Sequence, residues 1–368
     1  MKTNKSGEYI FSIFNFSMIR MRLLDKLVVL TVGFFTLLGC AQQPKESKIT
    51  TTLPTAVEYI NAANIVDYLA AQVKPYNKQP IYAIRPIQNN CIFEILVNDL
   101  PIYREFTLEK LATPLVINDR ILKSGPQTIT YRLYPIGDLM VQEYGTEETI
   151  STLRKNTSMK IEVIQYEDSK LGERLSDEIV IARHTSPIDN QTDAFVAAGL
   201  TYYEYTFTFN ATVPYNNEGW SNGEDLKKFD KEELEKIVVE KNLLIGKLYK
   251  EKKLDSLVKI EHINKLIYGI ANYRTKEEFQ GIFDQYKADV FKEKEIQSME
   301  GYQMEFYGEN RIVTLRYSIL KSPDPRLKGQ PALYYLYKDE YGTLVDFLSI
   351  YLFLPKGKPL TVENLQIL

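Results

Sequence analysis

From Ile81 onward the apolar residues come in short runs separated by turn residues. The runs are Ile81 to Ile87, Cys91 to Val97, Pro101 to Phe106, Leu115 to Ile117, Thr128 to Tyr134, Met159 to Tyr166, Glu178 to Arg183 and Tyr202 to Asn210. Several alternate: Tyr203, Tyr205, Phe207 and Phe209 share one parity. A period of two puts alternate residues on opposite faces of a strand. Many short strands at this spacing predict a sandwich. Ahead of them Val57, Ile60, Ala63, Val66, Leu69 and Val73 recur at steps of three to four. That period predicts a helix over 55–73, ended by Lys74-Pro75.

The helical period returns at Lys231. Leu234, Ile237, Val238, Leu244, Ile245 and Leu248 mark one helix, and Leu254, Leu257, Val258, Ile260, Ile263, Leu266 and Ile267 a second. Thr275-Lys276-Glu277-Glu278 is a capping box that opens a third. After Gly301 the runs shorten again. Tyr302 to Tyr307 and Arg311 to Ile319 flank the turn Gly308-Glu309-Asn310, and Ala332 to Tyr337 and Leu344 to Leu354 form a second predicted hairpin.

These elements predict a two-domain α+β protein. A mainly antiparallel β-sandwich, preceded by a helix, occupies 54–212. Helices followed by an antiparallel sheet occupy 226–368. The turn-rich residues 213–225 are the expected linker. The stretch Ile95 to Ile102 with Asn98-Asp99 at its turn, then Pro114 to Asn118, then Leu122 to Ile129 resembles a galactose-binding-like jelly roll. Asp99 stands where that pattern has Gly, and Gln127 where it has Asn. The resemblance implies a jelly-roll-like sandwich and carries no sugar site over, because the family's ligands sit on variable loops. The helices-then-sheet order of the second half is similar, in topology alone, to NTF2-like folds.

The first 39 residues belong to a different problem. Met21 to Lys26 carries Arg22 and Lys26. Leu27 to Leu38 is an uncharged apolar run of 12 residues, shorter than the roughly 20 that span a membrane as a helix. Leu37-Leu38-Gly39-Cys40 closes the run and a polar stretch follows. In that order these features resemble a bacterial lipoprotein signal. The resemblance implies cleavage before Cys40, lipidation of Cys40, and a flexible tether over 40–53. Met1 to Arg20 does not fit this signal and is read as a start assigned too early, with Met18 or Met21 as the true one. Ala41 rather than Asp follows the cysteine, which points to the outer rather than the inner membrane of a cell envelope.

Five of the 45 basic and two of the 48 acidic residues precede Cys40, so the remainder has 40 basic, 46 acidic and a net charge of −6. A mildly acidic chain of mixed sign argues against nucleic acid as a partner. With Cys40 lipidated, Cys91 is the one cysteine left. Set in an apolar run, it reads as a small buried hydrophobe. The two histidines, His184 and His262, are too few for a His/Cys metal site, and no cofactor is expected. His184, Ser186 and Asp189 lie too close in sequence for a triad.

The single tryptophan, Trp220, stands between Glu218 and Asn222 in the turn-rich stretch. Two readings stay open. Glu218, Trp220 and Asn222 form a ligand-binding loop, or Trp220 plugs a domain interface. With no catalytic constellation in view, the expected function is that of a lipid-anchored envelope binding or scaffold protein, not an enzyme, recognising a protein or a glycan. The alternatives are an immunity lipoprotein that neutralises a secreted toxin and a hydrolase that uses a carboxylate pair.

Overall fold

A computed structural model describes residues 59–111, 113–171, 175–319, 322, 327–339 and 342–368. The leader, Cys40 and the tether lie outside the described residues. The architecture is mixed α+β. The first described helix, α1 (Ile65–Gln72), lies within the expected 55–73 segment, of which 55–58 fall outside the described residues and 59–64 precede the helix. Asparagine chemistry explains its start. Asn64 Oδ1 accepts from the Asn61 backbone N–H at 2.9 Å, and Asn61 Oδ1 accepts from Ala63 N at 2.8 Å. These local turns compete with the helical hydrogen bonds.

The strands follow the predicted runs closely: β1 (Ile81–Asn89), β2 (Ile92–Val97), β3 (Leu100–Glu105), β4 (Leu115–Val116) and β5 (Lys123–Tyr134). After a short helix α2 (Leu139–Tyr144) come β6 (Ser158–Tyr166), β7 (Ile179–Thr185), the small hairpin β8 (Ile188–Asp189) and β9 (Ala194–Phe195), and β10 (Tyr203–Asn216). Two four-stranded antiparallel sheets result, ordered β4-β1-β6-β7 and β10-β5-β2-β3. Their inward residues form one core, including Ala83, Ile161 and Val163 from the first sheet and Phe93, Ile95, Ile129 and Phe209 from the second.

Three long helices come next: α3 (Lys231–Lys250), α4 (Leu254–Ala271) and α5 (Lys276–Val290). The predicted capping box is present. Thr275 Oγ1 accepts from Glu278 N at 3.2 Å, and Glu278 accepts from Thr275 N at 2.8 Å. The remaining strands are β11 (Glu295–Ile296), β12 (Tyr302–Tyr307), β13 (Ile312–Tyr317), β14 (Tyr334–Asp339), β15 (Gly342–Phe347), β16 (Leu352–Phe353) and β17 (Gln366–Ile367). They form sheets ordered β11-β14-β15 and β12-β13-β16-β17, on which the helices pack through Leu234, Val238, Leu257, Tyr286, Val313, Leu315 and Tyr335.

One grouping differs from expectation. Helix α1 does not pack on the sheets that follow it. Ile65, Val66 and Leu69 belong to the core of the second half, with Leu257 and Phe279. Ala62 N donates to Asp255 at 2.9 Å, and Lys276 pairs with Asp67 at 2.5 Å. The expected 54–212 unit therefore lacks its own first helix. The expected linker also starts late, because β10 runs on to Asn216. Pairing continues there: Ala211 is in register with Gly125, and Asn216 with Lys123.

The halves meet at an apolar patch made by Leu96 and Leu100 of the first and Trp220, Tyr307, Ile312, Tyr351 and Phe353. Two turns interlock beside it. Asn98 and Asp99 have positive φ at the β2–β3 turn, as do Gly308, Glu309 and Asn310 at the β12–β13 turn. Asp99 accepts from Gly308 N at 3.3 Å and from Glu309 N at 3.0 Å. Gly308 has to be small as well as left-handed, since a Cβ there would lie 2.9 Å from the Trp220 ring. Among the described residues no helix is long and apolar enough to cross a membrane.

Candidate functional site

The strands that bury apolar residues at this junction also bring charged ones to it. Glu94 is the sole charged residue of β2, and its side chain is 1 % exposed. A buried charge persists only when paired. Here Glu94 Oε1 accepts from Arg104 Nε at 2.6 Å, and Oε2 from Arg132 Nη1 at 3.1 Å. β2 sits between β3 and β5, so both guanidinium partners come from neighbouring strands at the same level: Arg104 and Arg132 are each in register with Glu94.

Arg104 continues across the junction. Its Nη1 donates to Gly329 O at 3.0 Å, its Nη2 to the Tyr307 hydroxyl at 2.9 Å, and Glu305 lies 3.4 Å away. Arg316 of β13 donates to the same Gly329 carbonyl at 2.9 Å and to the Tyr351 hydroxyl. Gly329 has positive φ, and a Cβ on it would meet Phe106 at 2.4 Å. Glu305 accepts from Tyr307 at 2.6 Å and from Gln303 at 2.9 Å. Burial raises the Glu305 pKa, but Arg104 and Arg316 outweigh it and hold the carboxyl below its usual range. Burial likewise opposes the charge on Arg132, and its bond to Glu204 and the field of Glu94 overcome it.

A cleft of about 500 Å³ opens on this network. Its polar wall is Glu94, Arg132, Gln303 and Glu305. Its aromatic wall includes Tyr134 and Tyr202, whose ring centroids are 5.4 Å apart, and Phe306. A second, mainly apolar cavity of about 150 Å³ lies among α1, α4, α5 and residues 348–351, with Glu261 and Lys265 in its lining.

The sequence-predicted loop is divided by the fold. Trp220 is buried at the junction and touches the smaller cavity, whereas Glu218 and Asn222 are exposed, 3.4 Å from each other. The three do not converge on one space. His184, Ser186 and Asp189 do not meet either. His184 stacks on Tyr205 and Phe207, Ser186 Oγ accepts from Met159 N, and Asp189 caps its own turn. His262 is buried, with Nδ1 2.7 Å from Lys259 O. Cys91 is buried, and burial pushes its thiol up to about 12, as a packed hydrophobe requires. Asn98 and Gln127 from the jelly-roll-like stretch are bonded to each other at 2.7 Å, a clamp behind the β2–β3 turn.

The charged cleft was missed by pattern reading because no motif marks it. A signal existed nonetheless. Glu94 in an otherwise apolar run, and Arg316 in Ile312 to Tyr317, are charges at positions that periodicity buries. Among the described residues no cluster of three or more His, Cys, Asp and Glu is placed to hold a metal ion. Comparison with protein families, with curated proteins and with solved structures found no match.

Proposed function

We propose that this is a lipid-anchored cell-envelope protein that binds a partner at the junction cleft and does not transform it. The anchor reading rests on the order of features around Cys40. In this reading the two sheets that share a core form a jelly-roll-like domain, and the helices and later sheets, with α1, form a second domain; the cleft lies where they meet. The observation that carries binding over catalysis is the state of the cleft carboxylates. Each is engaged by guanidinium groups, and Glu305 is held ionised. A general acid needs the opposite, a raised pKa near the working pH.

The hydrolase reading has one observation in its favour. Glu94 and Glu305 both lie within ion-pair reach of a single nitrogen, Arg104 Nη2, and retaining glycosidases hold two carboxyl groups roughly 5–5.5 Å apart. The shared cation distinguishes this pair from a catalytic one, because Arg104 bridges both carboxylates and leaves neither placed apart as the acid of an acid–nucleophile pair.

Two measurements test the proposal. Metabolic labelling with a radioactive fatty acid should mark the wild type and not Cys40→Ser, and the variant should leave the membrane fraction; a variant that stays membrane-bound rejects the anchor. Gentle crosslinking in the native cells, followed by purification, should recover a partner linked at the cleft. A secreted toxin recovered there would select the immunity reading. Release of a cleaved glycan by the pure protein, abolished by Glu305→Gln, would replace binding with hydrolysis.

A further inference from the structure

We propose that the junction cleft is a site for a neutral saccharide. This rests on the binding reading above and specifies its ligand. A volume of about 500 Å³ falls within the roughly 300–1,000 Å³ of small-ligand pockets. Its two walls offer different chemistry. Tyr134, Tyr202 and Phe306 present ring faces and edges against which the C–H face of a sugar can lie, and tyrosine adds polar reach at low entropic cost. Opposite them Glu94 and Glu305 are acceptors, Gln303 is both donor and acceptor, and Arg132 is a donor. Arg132 uses Nε on Glu204 and Nη1 on Glu94, which leaves Nη2 without a protein partner among the described residues.

The charge balance selects the ligand class. Glu94, Glu204 and Glu305 are matched by Arg104, Arg132 and Arg316 within the same network. An anionic ligand would face two carboxylates at the wall. A cationic one would have to take carboxylates already held by guanidinium groups, leaving buried arginines unpaired. A hydroxyl donates to a carboxylate and accepts from Arg132 without adding charge, and carboxylate oxygens have lone pairs beyond those their present bonds use. A ring bearing several hydroxyls satisfies both groups while its apolar face meets the aromatics. Arg104 ties the carboxylate wall from behind, which reduces the ordering cost of binding on that side.

The test uses the full chain in a zwitterionic detergent that contains no sugar. The probes are neutral di- and trisaccharides of glucose, galactose, mannose, xylose and N-acetylglucosamine, with uronic-acid and amino-sugar counterparts, followed by titration calorimetry and saturation-transfer NMR. At least one neutral probe should bind, with its charged counterpart weaker by about tenfold or more. Tyr202→Ala and Gln303→Ala change exposed residues of the cleft and should each weaken binding by about tenfold with an unchanged melting temperature. The proposal is overturned if no neutral probe binds up to about 10 mM, if a charged sugar binds best, or if the Tyr202→Ala/Gln303→Ala double variant binds as the wild type does. A protein crosslinked at the cleft, with every sugar silent, would reject the saccharide and keep the binding reading.

Discussion

Glu305 at the junction cleft and Asp346 in β15 are both withdrawn from water, and the fold drives their acidity in opposite directions. Burial raises both. Glu305 lies near two guanidinium groups and a tyrosine hydroxyl, and it ends below the usual carboxylate range. Asp346 is 3 % exposed. Tyr335 donates to it at 2.6 Å, its Oδ1 has no partner, and the nearby cation is committed elsewhere: Lys294 pairs with Asp289 at 3.2 Å. Burial therefore wins, and Asp346 is pushed up to about 6. The difference teaches that depth alone does not set a buried acid. What decides is whether a planar, multi-donor cation reaches it, and Arg does this across strands where a compact ammonium serves one carboxylate at a time.

The sharpest way to break this contrast is Arg104→Met. It leaves Glu94 with one cation and Tyr307 without its donor, so unfolding in urea should show a loss of about 3–5 kcal/mol. A loss under about 1 kcal/mol would mean that the cleft network is solvated and its pairs are weak. Next in size is pH. The folded pKa of Asp346, about 6, is above the unfolded value of about 3.9. Its contribution is thus fully present below pH of about 4 and lost as pH rises through about 6, on the order of 2–3 kcal/mol. Asp346→Asn should flatten stability across that window, measured by denaturant titrations at stepped pH. Glu305 has the reverse sign: its contribution is present above the ordinary carboxylate range and disappears on acidification, and Glu305→Gln should remove that acid-side loss. The smallest effect belongs to Lys294→Met. Asp289 is partly exposed and keeps Lys292 at 3.3 Å, so a loss of about 1–2 kcal/mol is expected. A loss equal to that of Arg104→Met would remove the distinction between guanidinium and ammonium.

Local features were legible in the sequence. The capping box at Thr275 and Glu278 needs only three residues of spacing, and the strand runs need only their own alternation. The turns at Asn98-Asp99 and Gly308-Glu309-Asn310 could each be read, because left-handed backbone favours Gly, Asn and Asp. That the two turns lock together could not, since each turn is complete without the other. Trp220 shows the same limit. It is the single tryptophan of the chain, yet nothing in its own stretch names Gly308, the residue its ring lies against. The cleft carries no motif, because Glu94, Arg132 and Glu305 lie on three different strands, and only the sheet register and the meeting of the halves make them neighbours.

The docking of α1 on α4 and α5 bears on the order in which the chain is made. The helix emerges before any of the sheets, yet the hydrogen bond from Ala62 to Asp255 spans 193 residues, and Phe279 lies further on still. Until synthesis has passed α5, the apolar edge of Ile65, Val66 and Leu69 has no native surface to cover it. This early helix thus docks only after the three long helices have been made. Contacts so distant in sequence form slowly, and an uncovered apolar segment is open to wrong associations while it waits. A nascent chain halted after β10 would expose that edge beside the first two sheets.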